Sequence, residues 1–181
     1  MLRKFLMAVS VMVPVTAHAA GQNAHDFKFT DIDENPLPLS TFAGKAVMVI
    51  NTASKCGFTH QYEEIQALWD RYRDKGLVVL GVPSNDFGAQ EPGTAEQIKQ
   101  FCAVNFNVDF PLTKKTKVRG DRPHPFYAWA ASELGALAKP RWNFHKYLIA
   151  PDGDLVDWFS TPTSPTSDKV IKAVERHLPK G

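Results

Sequence analysis

The 181-residue chain has only two cysteines, Cys56 and Cys102, and no Cys-x-x-Cys pair. That spacing excludes a vicinal dithiol and a cysteine-rich zinc site. Its six histidines (His18, His25, His60, His124, His145 and His177) are scattered and form no His-Glu-x-x-His, so no bound metal or other bound cofactor is expected. Heptads, low-complexity tracts and internal repeats are missing, which sets coiled coils and solenoids aside. Nor is there a run of the roughly 20 apolar residues that a membrane-spanning helix needs. Strong charge is lacking as well, the formal net being +2.

What stands apart is the beginning. Arg3 and Lys4 precede an apolar stretch from Phe5 to Val15, and Ala17-His18-Ala19 follows as a small-x-small site. This is the layout of a secretory signal peptide, with cleavage expected after Ala19. The expected organisation is a leader over residues 1–19 and one domain over 20–181, a length that suits a single core. Without Arg3 and Lys4 the 21 basic residues become 19 and match the 19 acidic ones. A neutral chain gives no reason to expect nucleic acid or an anionic membrane as a partner. Export, with the periplasm as the expected destination, permits disulfides, so a structural Cys56–Cys102 bridge is one reading of the cysteines.

The pattern of the remaining chain is α/β. Phe27, Phe29 and Ile32 alternate with polar residues before a turn at Asn35-Pro36, which predicts a short strand or hairpin. Residues 46–53 are almost continuously apolar and rich in β-branched side chains, as a central buried strand is. Ile65, Leu68, Trp69 and Tyr72 fall at helical spacing, predicting a helix from near Thr59 to Asp74, with Gly76 as its stop. Leu77 to Val82 reads as a second buried strand, followed by a polar loop. Thr94 and Gln97 form a capping-box pattern at the head of a helix carrying Ile98, Phe101 and Val104. A short helix from Pro125 to about Leu134, strands over 146–150 and 155–159 around the turn 151–154, and a closing amphipathic helix over 166–178 complete the order. The first βαβ unit is expected to be parallel and right-handed. The whole predicts a thioredoxin-like arrangement, a central mixed sheet with helices on both faces.

Cys56 falls between the central strand and the first helix. Ligands of open α/β sheets bind beyond the carboxyl ends of the strands. The unpaired N–H groups and partial positive charge of a helix start favour a thiolate there, and the thiolate is the nucleophilic form of cysteine. Cys56 is therefore the candidate catalytic residue.

Three segments resemble the glutathione peroxidase family: Asn51-Thr-Ala-Ser-Lys-Cys56-Gly-Phe-Thr59 with Tyr62 beyond, Gly81-Val-Pro-Ser-Asn85-Asp86-Phe87-Gly88-Ala-Gln90-Glu91-Pro-Gly93, and Arg141-Trp142-Asn143-Phe144-His-Lys146-Tyr147-Leu148. They occur in the family's order, and the resemblance spans about Phe27 to Leu178. It implies a thioredoxin fold and reduction of hydrogen peroxide and organic hydroperoxides. It places Cys56 at the peroxidatic position and matches Trp142 and Asn143 to the family's tryptophan and asparagine, both N–H donors suited to a thiolate and a peroxide. The fourth position departs from the pattern, because Asp86 stands where the family has glutamine. An ionised aspartate offers no donor and opposes a neighbouring thiolate. We expect Asp86 to act as an acceptor that orients nearby donors.

The segment around Phe101-Cys102 resembles the resolving-cysteine segment of members that use thioredoxin. The resemblance implies a disulfide between Cys102 and the Cys56 sulfenic acid. An external dithiol then reduces that disulfide. With Ser84 where some relatives carry a third cysteine, a thioredoxin-like protein is favoured over glutathione as the reducing co-substrate. A segment between Gly120 and Trp142 shorter than that of tetrameric relatives implies a monomer. The basic residues Lys114, Lys115, Lys117 and Arg119 are read as a solvated loop, with docking of an acidic reductant as the alternative. Two further alternatives stand: a thiol–disulfide oxidoreductase, against which the missing Cys-x-x-Cys counts, and an exported non-enzymatic protein with a structural disulfide.

Overall fold

A computed structural model describes residues 21–180. The leader expected over residues 1–19 lies outside the described residues.

The N-terminal segment forms a hairpin of β1 (Lys28–Thr30) and β2 (Pro36–Pro38), paired antiparallel. The Asp31 carboxylate accepts the backbone N–H groups of Asp33 (2.9 Å) and Asn35 (2.7 Å) and so closes the turn. The main sheet is built from β3 (Ala46–Thr52), β4 (Leu77–Pro83), β5 (Lys146–Ile149) and β6 (Leu155–Phe159), in the order β4-β3-β5-β6. β3 pairs parallel with β4 and antiparallel with β5, and β5 pairs antiparallel with β6. The mixed sheet and its thioredoxin-like order agree with the sequence reading.

Side chains of β3 alternate between two apolar cores. Ala46, Met48 and Ile50 face α1 (Gln61–Tyr72), α2 (Ala95–Phe106) and α4 (Asp168–His177). Val47 and Val49 face α3 (Pro125–Glu133) and the N-terminal hairpin. Every residue of β3 and β4 is buried, which is why both read as continuous apolar runs rather than alternating ones.

Helix limits follow local chemistry. The expected start of α1 near Thr59 shifts to Gln61, because the chain first winds in tighter turns. The amide of Thr59 donates to the Cys56 carbonyl (3.1 Å), that of Gln61 to Phe58 (2.9 Å) and that of Tyr62 to Thr59 (3.0 Å). Such three-residue returns commonly open an α-helix. The predicted capping box heads α2, with Thr94 N–H on Gln97 Oε1 (2.9 Å) and Gln97 N–H on Thr94 Oγ1 (3.3 Å). α2 ends at Asn107, whose φ of 52° is left-handed. The chain after α2 then presses on β4 at Gly81. A Cβ there would meet Leu112 Cδ2 at 2.6 Å, so a larger residue would require the Leu112 side chain to shift.

Candidate active site

Cys56 lies in the turns between β3 and α1, 4% exposed, and its Sγ accepts the backbone N–H of Phe58 at 3.5 Å. A sulfur held by the amide of the next turn is the arrangement expected of a nucleophile at a helix start.

Trp142 and Asn143 reach this region through the end of β3. Asn51 donates its Nδ2 to the Trp142 carbonyl (3.1 Å) and its backbone N–H to the His145 carbonyl (3.2 Å), while its own carbonyl accepts from Phe144 N–H. Phe144 and His145 thus face the single residue Asn51, the two-against-one pattern of a β-bulge whose first residue is left-handed. Phe144 has φ 63°, rare for a bulky side chain. Its ring is fully buried and edge-on to Tyr62 at 5.2 Å, which holds the conformation in place. The Trp142 indole, 39% exposed, leans on Phe87 at 5.9 Å. Asn143 is fully buried, and its carbonyl accepts from Thr161 Oγ1 at 2.7 Å.

The loop after β4 holds the other side. Lys55 N–H donates to the Gln90 carbonyl (2.9 Å), and Asn143 Nδ2 donates to Gln90 Oε1 (2.9 Å). The buried Glu91 carboxylate accepts both the N–H (2.9 Å) and the Oγ of Ser54, two residues before Cys56. Burial raises the Glu91 carboxyl above the usual range, and the Ser54 bonds oppose that rise.

A buried lysine joins these parts. Lys146 Nζ donates to Gln61 Oε1 (2.7 Å) at the head of α1, to the Phe144 carbonyl (2.8 Å), and to the carbonyls of Thr163 (2.8 Å) and Thr161 (3.4 Å). Gln61 Nε2 in turn donates to the Thr161 carbonyl at 2.7 Å. Burial brings the Lys146 ammonium down to about 7, against a smaller opposing pull from Glu64.

Asp86 does not take the expected place. Its Oδ2 accepts the backbone N–H groups of Val118 (2.6 Å) and Arg119 (3.1 Å), so it is an acceptor, but of loop amides and not of the Trp142 or Asn143 donors. Two amides presented together hold a carboxylate more strongly than one neutral donor does, and this turns Asp86 outward. The basic loop is tied down as well. Lys114 pairs with Glu34 at 2.7 Å, and the Arg119 guanidinium lies 5.1 Å over the Phe87 ring.

Cys102 lies near the end of α2, 1% exposed, in the same apolar core as Cys56. Both thiols are free in the structure. Burial pushes the Cys102 thiol up to about 11. The Tyr62 hydroxyl beside it is buried without a hydrogen bond of regular geometry, and burial raises this phenol well above its usual range. A groove of about 540 Å³, bordered by Ser54, Lys55, Pro92, Phe101 and Val104, runs between the Cys56 loop and α2.

Four residues that shape the site had no role assigned from sequence: Asn51, Gln90, Glu91 and Lys146. One of them carried a signal: Lys146 begins a strand that is otherwise apolar. The burial of Glu91 appears only in the structure.

Comparison with known proteins follows the same lines. The glutathione peroxidase family model matches residues 24–131. A glutathione peroxidase-like peroxiredoxin of Schizosaccharomyces pombe is 44% identical over 143 residues, covering 78% of this chain and 90% of that protein. A glutathione peroxidase homolog of Halalkalibacterium halodurans is 42% identical over 147 residues, covering 80% of this chain and 94% of that protein. The crystal structure of Trgpx in apo form superposes with a TM-score of 0.70 at 35% identity, covering 88% of this chain and all of that one. With a cysteine at the strand-to-helix junction and the Trp142-Asn143 turn stapled to the same strand end, the chain belongs to the glutathione peroxidase family, as a member that carries cysteine in place of selenocysteine.

Proposed function

We propose that this protein is a thiol peroxidase in which Cys56 reduces hydrogen peroxide and organic hydroperoxides, Cys102 resolves the product, and a thioredoxin-like protein restores both thiols. The observation that carries this reading is the Cys56 sulfur at the head of α1, held by the Phe58 amide within a peroxidase-family chain.

The Cys56 thiolate attacks one oxygen of the hydroperoxide. The O–O bond breaks, the sulfur becomes a sulfenic acid, and the leaving oxygen takes a proton and departs as alcohol or water. Trp142 and Asn143 supply N–H donors to the charge that develops on sulfur and oxygen. The Cys102 sulfur then displaces the sulfenic hydroxyl as water, and a disulfide forms. Bridged Cα atoms must lie within about 7 Å. Cys102 is buried within α2, and on this reading the end of that helix leaves its place before the bond forms. An external dithiol reduces the disulfide by exchange and carries away its two electrons.

The name of the Schizosaccharomyces pombe relative, a peroxiredoxin, supports a protein dithiol over glutathione. The Arg3-to-Ala19 segment supports export, with a periplasmic thioredoxin-like protein as reductant. The reading includes a monomer with no bound cofactor. Coupled turnover is the test: peroxide consumption should be sustained by thioredoxin and poorly by glutathione, and no consumption with either removes the peroxidase reading.

A further inference from the structure

We propose that Thr161 is a positioning residue of this site: its hydroxyl clamps the peptide between Asn143 and Phe144, and its own carbonyl is anchored to the head of the helix that follows Cys56. The inference rests on the peroxidase reading above and deepens it.

Thr161 lies just beyond the end of β6 and is buried. Its Oγ1 donates to the Asn143 carbonyl, and its own carbonyl accepts from Gln61 Nε2, each at 2.7 Å. Lys146 Nζ donates to the same carbonyl at 3.4 Å. The Gln61 amide can take only one orientation here. An ammonium has donors and no acceptor, so Oε1 faces Lys146 Nζ and Nε2 is left for Thr161. Gln61 is the first residue of α1, so Thr161 is tied to the element that the Cys56 turns lead into. Among the hydrogen bonds of the described residues, no other residue bonds to both α1 and Asn143.

The peptide between Asn143 and Phe144 is gripped on both edges. Its oxygen takes the Thr161 hydroxyl, and its N–H donates to the Asn51 carbonyl. A peptide unit is planar, so bonds on opposite edges stop it from turning. Turning of that plane changes Asn143 ψ and Phe144 φ together. It is the motion by which Phe144 would leave its φ of 63°. The conformation is unfavourable for a bulky residue, and the Thr161 bond closes this way out of it.

The side chain suits the task. A β-branched residue is stiff at χ1, so the hydroxyl keeps its direction. The Phe144 carbonyl, one peptide further on, is held by Lys146 at 2.8 Å. The donors of Trp142 and Asn143 emerge from this backbone, and its position relative to α1 sets theirs relative to Cys56. Thr161 touches no reacting atom and acts through Asn143.

The test is Thr161→Val, which replaces the hydroxyl by a methyl of similar size and keeps the backbone carbonyl on Gln61. The rate constant of Cys56 with hydrogen peroxide should fall about tenfold. Thr161→Ser restores the donor and should stay within about threefold of the parent. Alkylation of Cys56 by iodoacetamide, followed by mass spectrometry, should change by less than about twofold in both variants, because that reagent does not need the Asn143 turn. Thr161→Ala serves the same comparisons should the valine variant fold poorly. The proposal is overturned by a peroxide rate in the valine variant within about twofold of the parent, by a serine variant as slow as the valine one, or by equal slowing of alkylation and peroxide reduction. A parent chain that does not react with peroxide would instead remove the underlying peroxidase reading.

Discussion

Phe144 and Asn51 face each other at the end of β3, where the Phe144 amide donates to the Asn51 carbonyl while Phe144 holds a φ of 63°. A residue kept in that region costs about 1–3 kcal/mol and persists only where its surroundings impose it. The Asn51 side chain is one of those surroundings, through its bond to the Trp142 carbonyl. Asn51→Ala removes that bond together with an Oδ1 that is already unpaired. We expect a loss of only about 1 kcal/mol of stability but a peroxide rate lower by about tenfold, because the Trp142-Asn143 turn loses its seat. Denaturant titration and stopped-flow peroxide reduction measure the two effects. Equal rates in parent and variant would remove the positioning role of Asn51.

The outward turn of Asp86 gives a second prediction. Asp86→Ala leaves the Val118 and Arg119 amides without their acceptor and should cost about 1–3 kcal/mol. Asp86→Asn keeps an acceptor and should cost less. Both should reduce peroxide within about threefold of the parent rate, since neither touches Cys56, Trp142 or Asn143. A large loss of rate with unchanged stability would return Asp86 to the chemistry.

Cys102 tests the resolving step. Cys102→Ser should react once with peroxide, accumulate a dimedone-reactive sulfenic acid at Cys56, and lose thioredoxin-supported turnover by about 100-fold or more. In the parent, burial holds the Cys102 thiol at about 11, so the folded helix offers little thiolate near neutral pH. Disulfide formation should then follow opening of α2 and show a rate independent of peroxide concentration. A rate that climbs with peroxide would place the slow event elsewhere.

Lys146 makes stability depend on pH. Its ammonium is brought down to about 7 in the folded chain from an ordinary value of 10.5. Between those limits the unfolded chain binds more protons at this position than the native chain. This group's contribution to unfolding free energy therefore rises with pH across that window and is flat below it. Lys146→Met should abolish that slope, and a comparison of melting temperatures from pH 6 to 10 reads it directly. The variant also leaves Gln61 Oε1 and the carbonyls of Phe144 and Thr163 without this donor, so it should be less stable at pH 7 by about 1–3 kcal/mol. Identical pH profiles would mean that Lys146 holds its proton in the native core over the same range as in the unfolded chain.

The strands and helices were legible because burial leaves a periodic trace. The apolar run of β3 and the Thr94–Gln97 box each carry their own evidence within a few residues. Cys56 was legible from its place at a junction. The polar framework was not, because its partners are far apart in the chain. Asn51 and Trp142 are 91 residues apart, and Gln90 and Asn143 are 53 apart. Asp86 shows the same limit from the other side. Its chemical oddity was visible, but its partners are two backbone amides, which have no signature in side-chain sequence. The start of α1 moved by two residues because turn winding at Cys56 satisfies the same donors that a regular helix would.

The antiparallel register of β3 and β5, in which Ile50 faces Lys146, also imposes an order in time. A growing chain exposes Cys56 and can assemble β3, α1 and β4 from neighbouring residues well before Trp142, Asn143 and β5 have been made. Pairings this remote in sequence carry a large loop-closure entropy and form late. If Trp142 and Asn143 direct the Cys56 thiol as proposed, the thiol exists without those donors until that register closes, and reactivity toward peroxide should be acquired at completion of the sheet and not with the appearance of the cysteine.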